Sequence, residues 1–291
     1  MRTFKDLVEG QNLTVKRVTS VEGLANEVPS DAAAVMVIGP TKSLLPEEAA
    51  AITRYFQKGG RVLYALEPGT DVDTAALLAP LGLKLLPDLL ANDVAYVPDA
   101  RAPSDRAIIR TASYSSHPSL NTLSMLGARA PMGFIEAAAI EATTDKPKDV
   151  TFEFTVHAHE ATWNDVNHNY IYDAGPEVRK KWELAAAVRS GEGRAIVVGD
   201  ADVLSDYVLG NDGNYYFALD SVKWLLGDEA TAGAISNQQD VPIQHTRQQD
   251  VFWFYSTIFL APAVVLGFGF FMSRRRPRRA ARHPAQTGGK S

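Results

Sequence analysis

Continuous apolar runs alternate with stretches of helical period over the first ninety residues. Ala32 to Gly39 (AAAVMVIG) has no polar position, as a strand buried on both faces requires. LLPEEAAAITRYFQKGG follows with Leu45, Ala49, Ile52 and Phe56 at helical spacing on one face. Pro46 suits its first turn, Glu47 and Glu48 complement its positive end, and Gly59 can close it. Arg61 to Gly69 (RVLYALEPG) predicts a second buried strand, and DTAALLAPLGL opens another helix. This order of elements predicts an α/β fold with a mostly parallel sheet and crossover helices.

Residues 94–160 change character. AIIRTAS, FIEAAAIEA and VTFEFTVHA have β-type composition and are separated by polar, proline-bearing loops, which predicts added or antiparallel strands in the middle of the chain. The α/β pattern returns with WELAAAV and with RAIVVGDADVL, a strand that breaks at Gly199. An amphipathic helix around Tyr215 to Leu226 then turns Ala218, Leu219, Val222 and Leu225 inward. Residues 229–250 are polar and without period, as a linker is.

Val251 to Ser273 is uncharged, and RRRPRR follows at once. Twenty-three residues make a helix of roughly 34 Å, enough to cross a hydrocarbon core of about 30 Å. The pattern predicts a single C-terminal transmembrane helix at 251–273, with Trp253 and Tyr255 at headgroup level. The tail 274–291 holds seven bases and no acid, whereas the preceding chain has 22 of the 29 bases and all 34 acids, a charge of −12. The positive-inside rule places the tail in the cytoplasm and an extracytoplasmic body at 1–228, on the cell's inner membrane. The first residues, MRTFKDLVEGQNLTVKRV, contain no apolar run that would export this body, so that orientation implies residues upstream of Met1. An acidic body argues against nucleic acid as a partner, and the basic tail suits anionic membrane lipid. With no cysteine, thiolate metal sites and cysteine nucleophiles are excluded.

Two strings carry a family resemblance. VIGPTKSLLPEEAAAITRYFQKGGRVLYALEPG and GRAIVVGDADVLSDYVLGNDGNYYFALDSVKWLLGDE resemble segments of the GldG-like auxiliary components of ABC transporters associated with gliding motility. The shared features are a strand ending in Gly-Pro, a Glu-Glu helix start, a Gly-Gly-Arg lead into the next strand, a late Gly-Asp turn and an Asn-containing helix start. The apolar C-terminal stretch with its arginine-rich end is similar as well. The resemblance implies an α/β fold related to the glutamine-amidotransferase or ThuA-like group. It further implies a non-catalytic, membrane-anchored accessory subunit whose partners are an ABC permease and its ATPase. The alternative function is a membrane-tethered hydrolase or sugar-binding protein.

Candidate chemistry is sparse. Ser205 is in no Gly-x-Ser-x-Gly elbow, and His117, His157 and His159 assemble with no nucleophile in sequence. GPTKSLL lacks the order of a phosphate-binding Gly-Lys-Ser/Thr loop. Gly199, Asp200 and Asp202 form an acidic turn where a buried strand runs out, the edge at which open α/β sheets bind ligands; the same residues also suit a plain turn and helix cap. Asp165, Asn167, Asn169 and Asp173 stand at positions 1, 3, 5 and 9 of a calcium-loop register. Tyr170 replaces the expected glycine there and Glu177 falls one residue late, so a metal-free Asx turn competes with calcium. No other cofactor is indicated.

Overall fold

The computed structural model describes residues 1–19, 23, 24 and 26–228, together with 258, 259, 262 and 266–268. The linker at 229–250, the basic tail and most of the 251–273 span lie outside the described residues. Among the described residues no helix is long and apolar enough to cross a membrane. The chain divides into two units, Met1–Ile235 and Ser236–Ser291; in the second, the few described positions are helical.

The first unit opens with α1 (Arg2–Glu9), which buries Phe4, Leu7 and Val8. Asp206 accepts the amides of Arg2 and Thr3 at 2.9 and 2.7 Å, satisfying donors that a helix start leaves free. Next come β1 (Val35–Ile38), α2 (Pro46–Gln57), β2 (Arg61–Ala65) and the short α3 (Thr74–Leu78), in the order the apolar pattern predicts. Leu45 differs from expectation: it is the N-cap of α2, and its side chain stays exposed. Its amide donates to Glu48 Oε2 at 2.9 Å.

The middle of the chain supplies β3 (Leu83–Ala91), β4 (Ile108–Thr111), β5 (Ser113–Tyr114), α4 (Asn121–Leu126), β6 (Met132–Ile135), β7 (Ala138–Ala142), β8 (Val150–His157) and β9 (Trp163–Asp165). Then follow β10 (Glu183–Ser190), β11 (Gly193–Val198) and α5 (Asp212–Leu226). A six-stranded sheet runs β1-β2-β11-β10-β8-β5, a three-stranded sheet runs β7-β3-β9, and β4 pairs with β6.

The sheet is mixed, which corrects the expectation of a mostly parallel one. β1–β2 and β2–β11 are parallel, but β11–β10, β10–β8 and β8–β5 are antiparallel, as are all pairings in the two smaller sheets. The physical reason is a two-residue hairpin. Ser190 faces Gly193 across Gly191 and Glu192, and Gly191 takes a φ of +53° that a side chain would resist. β10 is thereby turned back on β11 with no room for a crossover helix.

The six-stranded sheet separates two cores with period-two alternation. Leu63, Ala65, Ile196 and Val198 face one way, towards Phe217, Ala218, Val222 and Leu225 of α5. Val62, Tyr64, Ala195 and Val197 face the other, towards Ala49, Ile52 and Phe56 of α2. Burying each large aliphatic side chain contributes about 2 kcal/mol. The consequence for function is a rigid base whose parallel strands β1, β2 and β11 all end along one edge.

Candidate functional site

At that edge the three strand ends close on one another. β1 leads into Gly39, whose φ of +52° turns the chain sharply and whose amide donates to Ala65 at 2.9 Å. β2 continues through buried Leu66, bonded to the Val198 carbonyl, and delivers Glu67. β11 delivers Gly199, which donates to the Leu184 carbonyl and accepts from Ala138 at 2.7 Å. A Cβ on Gly199 would stand 2.2 Å from the Ala138 carbonyl oxygen, so the close crossing of β7 requires glycine there.

Asp200 follows, with no exposed surface. Its Oδ2 accepts the Ile135 amide at 2.7 Å and its Oδ1 the Asp202 amide at 2.6 Å. Glu67 Oε1 accepts the Ala201 amide at 2.7 Å. Asp202 is exposed at the start of a short 3-10 turn. Carboxylate oxygens of Glu67, Asp200 and Asp202 lie within 4.8 Å of one another. Burial, then the charge of Glu67, pushes the Asp200 carboxyl well above the usual range. Burial also raises Glu67, helped by Asp202 and Glu136. Chemically the turn favours protonation of its two inner carboxyls and presents a third, that of Asp202, to solvent.

The structure thus brings Gly199, Asp200 and Asp202 together and adds Glu67, which the sequence reading missed. Its signal was available: EPG ends one parallel strand beside another that ends GDAD. The helix cap expected of Asp200 or Asp202 is supplied for α5 by Asn211, whose side chain accepts the Gly213 amide.

Asp165, Asn167, Asn169 and Asp173 fold into one self-bonded turn. Asp165 is buried and accepts the amides of Asn169 and Tyr170 at 3.2 and 2.8 Å. Nδ2 of Asn167 and of Asn169 donates to Asp173 Oδ2 at 2.7 and 2.9 Å. Glu177 folds back to accept the amides of Val166 and Asp173. Tyr170 holds a φ of +59°, the left-handed conformation for which this position favours glycine. Among the described residues, the three acids whose oxygens approach one another this closely are those of the strand edge, not those of this loop.

The histidines are engaged elsewhere. His117 Nδ1 lies 2.9 Å from Ser119 Oγ, His157 pairs with Glu183, and His159 Nδ1 accepts the Ala161 amide. Ser205 Oγ accepts from the Val208 amide at 3.4 Å. None of these contacts includes a carboxyl of the acidic turn.

A family model described as "Domain of unknown function (DUF4350)" matches residues 1–222. The chain belongs to the DUF4350 family. No curated protein matches it. Among solved structures, this DUF4350 chain is similar to one described as "mmIFT52 N-terminal domain". The TM-score is 0.55 at 14% identity, with 77% of this chain and 90% of that one covered; this likeness is one of fold. "Exo-beta-1,4-mannosidase Op5Man5 from Opitutaceae bacterium strain TAV5" aligns at a TM-score of 0.39 and 13% identity, over 76% of this chain and 29% of that one.

Proposed function

We propose that this DUF4350 protein is a non-catalytic accessory subunit of an ABC-type transport system, related to the gliding-motility group. Its α/β body stands outside the cytoplasm on a membrane helix at 251–273, with the basic tail inside. The permease and ATPase of the transporter are its partners, and its fold is of the glutamine-amidotransferase or ThuA-like kind. One observation carries this proposal. The strands within the two strings that resemble the GldG-like family run out at Gly39-Pro40, at Glu67-Pro68-Gly69 and at Gly199 to Asp202, and the fold gathers all three at one strand edge. The inner carboxyls there are bonded to backbone amides, which suits a shaped surface for a partner better than a reacting centre.

A photo-crosslinking amino acid at exposed Asp202, in the full chain within its native membrane, tests the assignment. Cross-linking to a multispan permease is expected. Cross-linking to no transporter component would contradict it.

The raised carboxyls of Glu67 and Asp200 favour a second function, hydrolysis or sugar binding at the same edge. Loss of a measurable hydrolytic activity in Asp202→Asn would support that alternative. A loop that binds calcium is compatible with either function.

A further inference from the structure

A small apolar sheet face stands open to solvent. β4 pairs with β6, and residues 95–97 run antiparallel along its other side. There the Val97 amide donates to the Ile108 carbonyl at 2.8 Å, and the Arg110 amide to the Ala95 carbonyl at 2.9 Å. Side chains on such a sheet alternate between its faces. Ile109 and Phe134, which are register partners, are buried in the core, so Ile108, Arg110 and their partners Ile135 and Gly133 take the opposite face. A groove of about 390 Å³ opens there, lined by Val97, Ile108 and Ile135 of the sheet and by Tyr207 and Val208 of the turn that precedes α5. Tyr207 is 74% exposed, so solvent reaches the groove.

Most polar groups along it are already bonded. The Gly133 amide and carbonyl both pair with Asn214, and Asn211 donates to the Pro131 carbonyl at 2.8 Å. A partner strand therefore finds no free backbone at Gly133. Arg110 and Asp99 differ. Both line the groove, and among the described residues neither side chain has a hydrogen-bond or ion-pair partner. Arg110 is held opposite Ala95, and Asp99 stands four residues further along that segment, at most about 13 Å of extended chain. Asp105 fixes the bend that carries Asp99, because its carboxylate accepts the amides of Asp99, Ala100 and Arg101 at 3.0, 3.1 and 2.9 Å. The groove thus has a cation at one end, an anion at the other and an apolar floor between them.

We propose that this groove binds a short apolar peptide with both termini free. The peptide carboxylate takes the Arg110 fork, its ammonium takes Asp99, and its apolar side chains cover Val97, Ile108 and Ile135. Three extended residues reach roughly 10 Å, a length that the two charged side chains can bracket. A protein C-terminus or a fatty acid would use Arg110 alone and leave Asp99 without a role. Charge complementarity at both ends therefore selects the free peptide. The groove takes such a peptide whether or not the body serves a transporter.

Isothermal titration calorimetry of the full chain in neutral detergent tests this, with Val-Ala-Val at millimolar concentration as the probe. The free peptide should bind, and its C-terminal amide and its N-acetyl form should each bind about tenfold more weakly, as the loss of one charged hydrogen bond requires. Arg110→Gln should weaken the free peptide about tenfold and leave the affinity for the amide unchanged. Asp99→Asn should do the same, with the N-acetyl form as the unchanged ligand. Both residues are exposed, so both variants should keep the melting temperature of the wild type. An N-acetyl peptide that binds as tightly as the free one would overturn the proposal in favour of a protein C-terminus. No binding of Val-Ala-Val, or equal affinity in wild type and Arg110→Gln, would overturn it outright.

Discussion

Glu67 and Asp200 hold the same turn from two strands. Glu67 Oε1 takes the amide of Ala201, and Asp200 Oδ1 takes the amide of the next residue, Asp202. Their cooperation has an electrostatic cost, because each is pushed up in pKa by burial and Asp200 further by the charge of Glu67.

A pH dependence follows, with a definite sign. Both folded-state values lie above the unfolded value of about 4 for a carboxyl, so the native state holds these protons more tightly than the unfolded chain. The stability that the pair contributes is full below about pH 4 and is lost as pH rises through the folded values. Glu67→Gln removes one of the two charges and its repulsion of Asp200. Chemical denaturation of wild type and variant across pH 4.5 to 8 should show a shallower decline for the variant. Parallel profiles would contradict the coupling.

Gly199→Ala probes the crossing of β7 over the strand end. The added methyl would meet the Ala138 carbonyl oxygen at 2.2 Å, a contact with backbone that no side-chain rotation relieves. A loss of about 3 kcal/mol is expected, the upper part of the overpacking range. A variant as stable as wild type in urea would mean that β7 can move.

Asn214 mimics a neighbouring strand. From the first turn of α5 it accepts the Gly133 amide and donates to the Gly133 carbonyl, both at 2.8 Å, and so closes the free edge of β6. Asn214→Ala leaves both groups of Gly133 without these partners and should cost about 2 to 3 kcal/mol in urea denaturation. A change below about 0.5 kcal/mol would show that the edge is not held this way.

Much of this arrangement was legible in the chain. Uninterrupted apolar runs announced β1, β2 and β11, and Gly199 announced the strand break, because burial on both faces and a tight turn each leave a compositional trace. Strand direction left none: WELAAAV is as apolar as a parallel strand, and only the turn Gly191-Glu192 gives away that β10 runs antiparallel. Glu67 was hidden because a glutamate before Pro-Gly suits any turn, and its meaning depends on a strand 130 residues away. The adjacency of Arg61, Arg194 and Arg189 on three strands was hidden likewise, since these positions become neighbours only through register.

Calcium can be decided at the Asp165 to Asp173 loop. Asp165 and Glu177 accept backbone amides, and Asp173 accepts two asparagine side-chain amides that a cation would have to displace. The turn is therefore expected to stand on its own hydrogen bonds, with a melting temperature indifferent to millimolar calcium and to chelator. A calcium-dependent rise, abolished by Asp165→Asn with Asp173→Asn, would instead establish a metal loop. The stabilisation behind that rise would be about 2.7 kcal/mol at a hundredfold excess over the dissociation constant.

The central claim is that this body serves a transporter. Affinity purification of the full chain from native membranes, in mild detergent and with quantitative identification of what accompanies it, tests that claim most directly. An ABC ATPase and a multispan permease are predicted to co-purify in fixed ratio to the chain. Recovery of the chain with lipid but without either component would contradict the account.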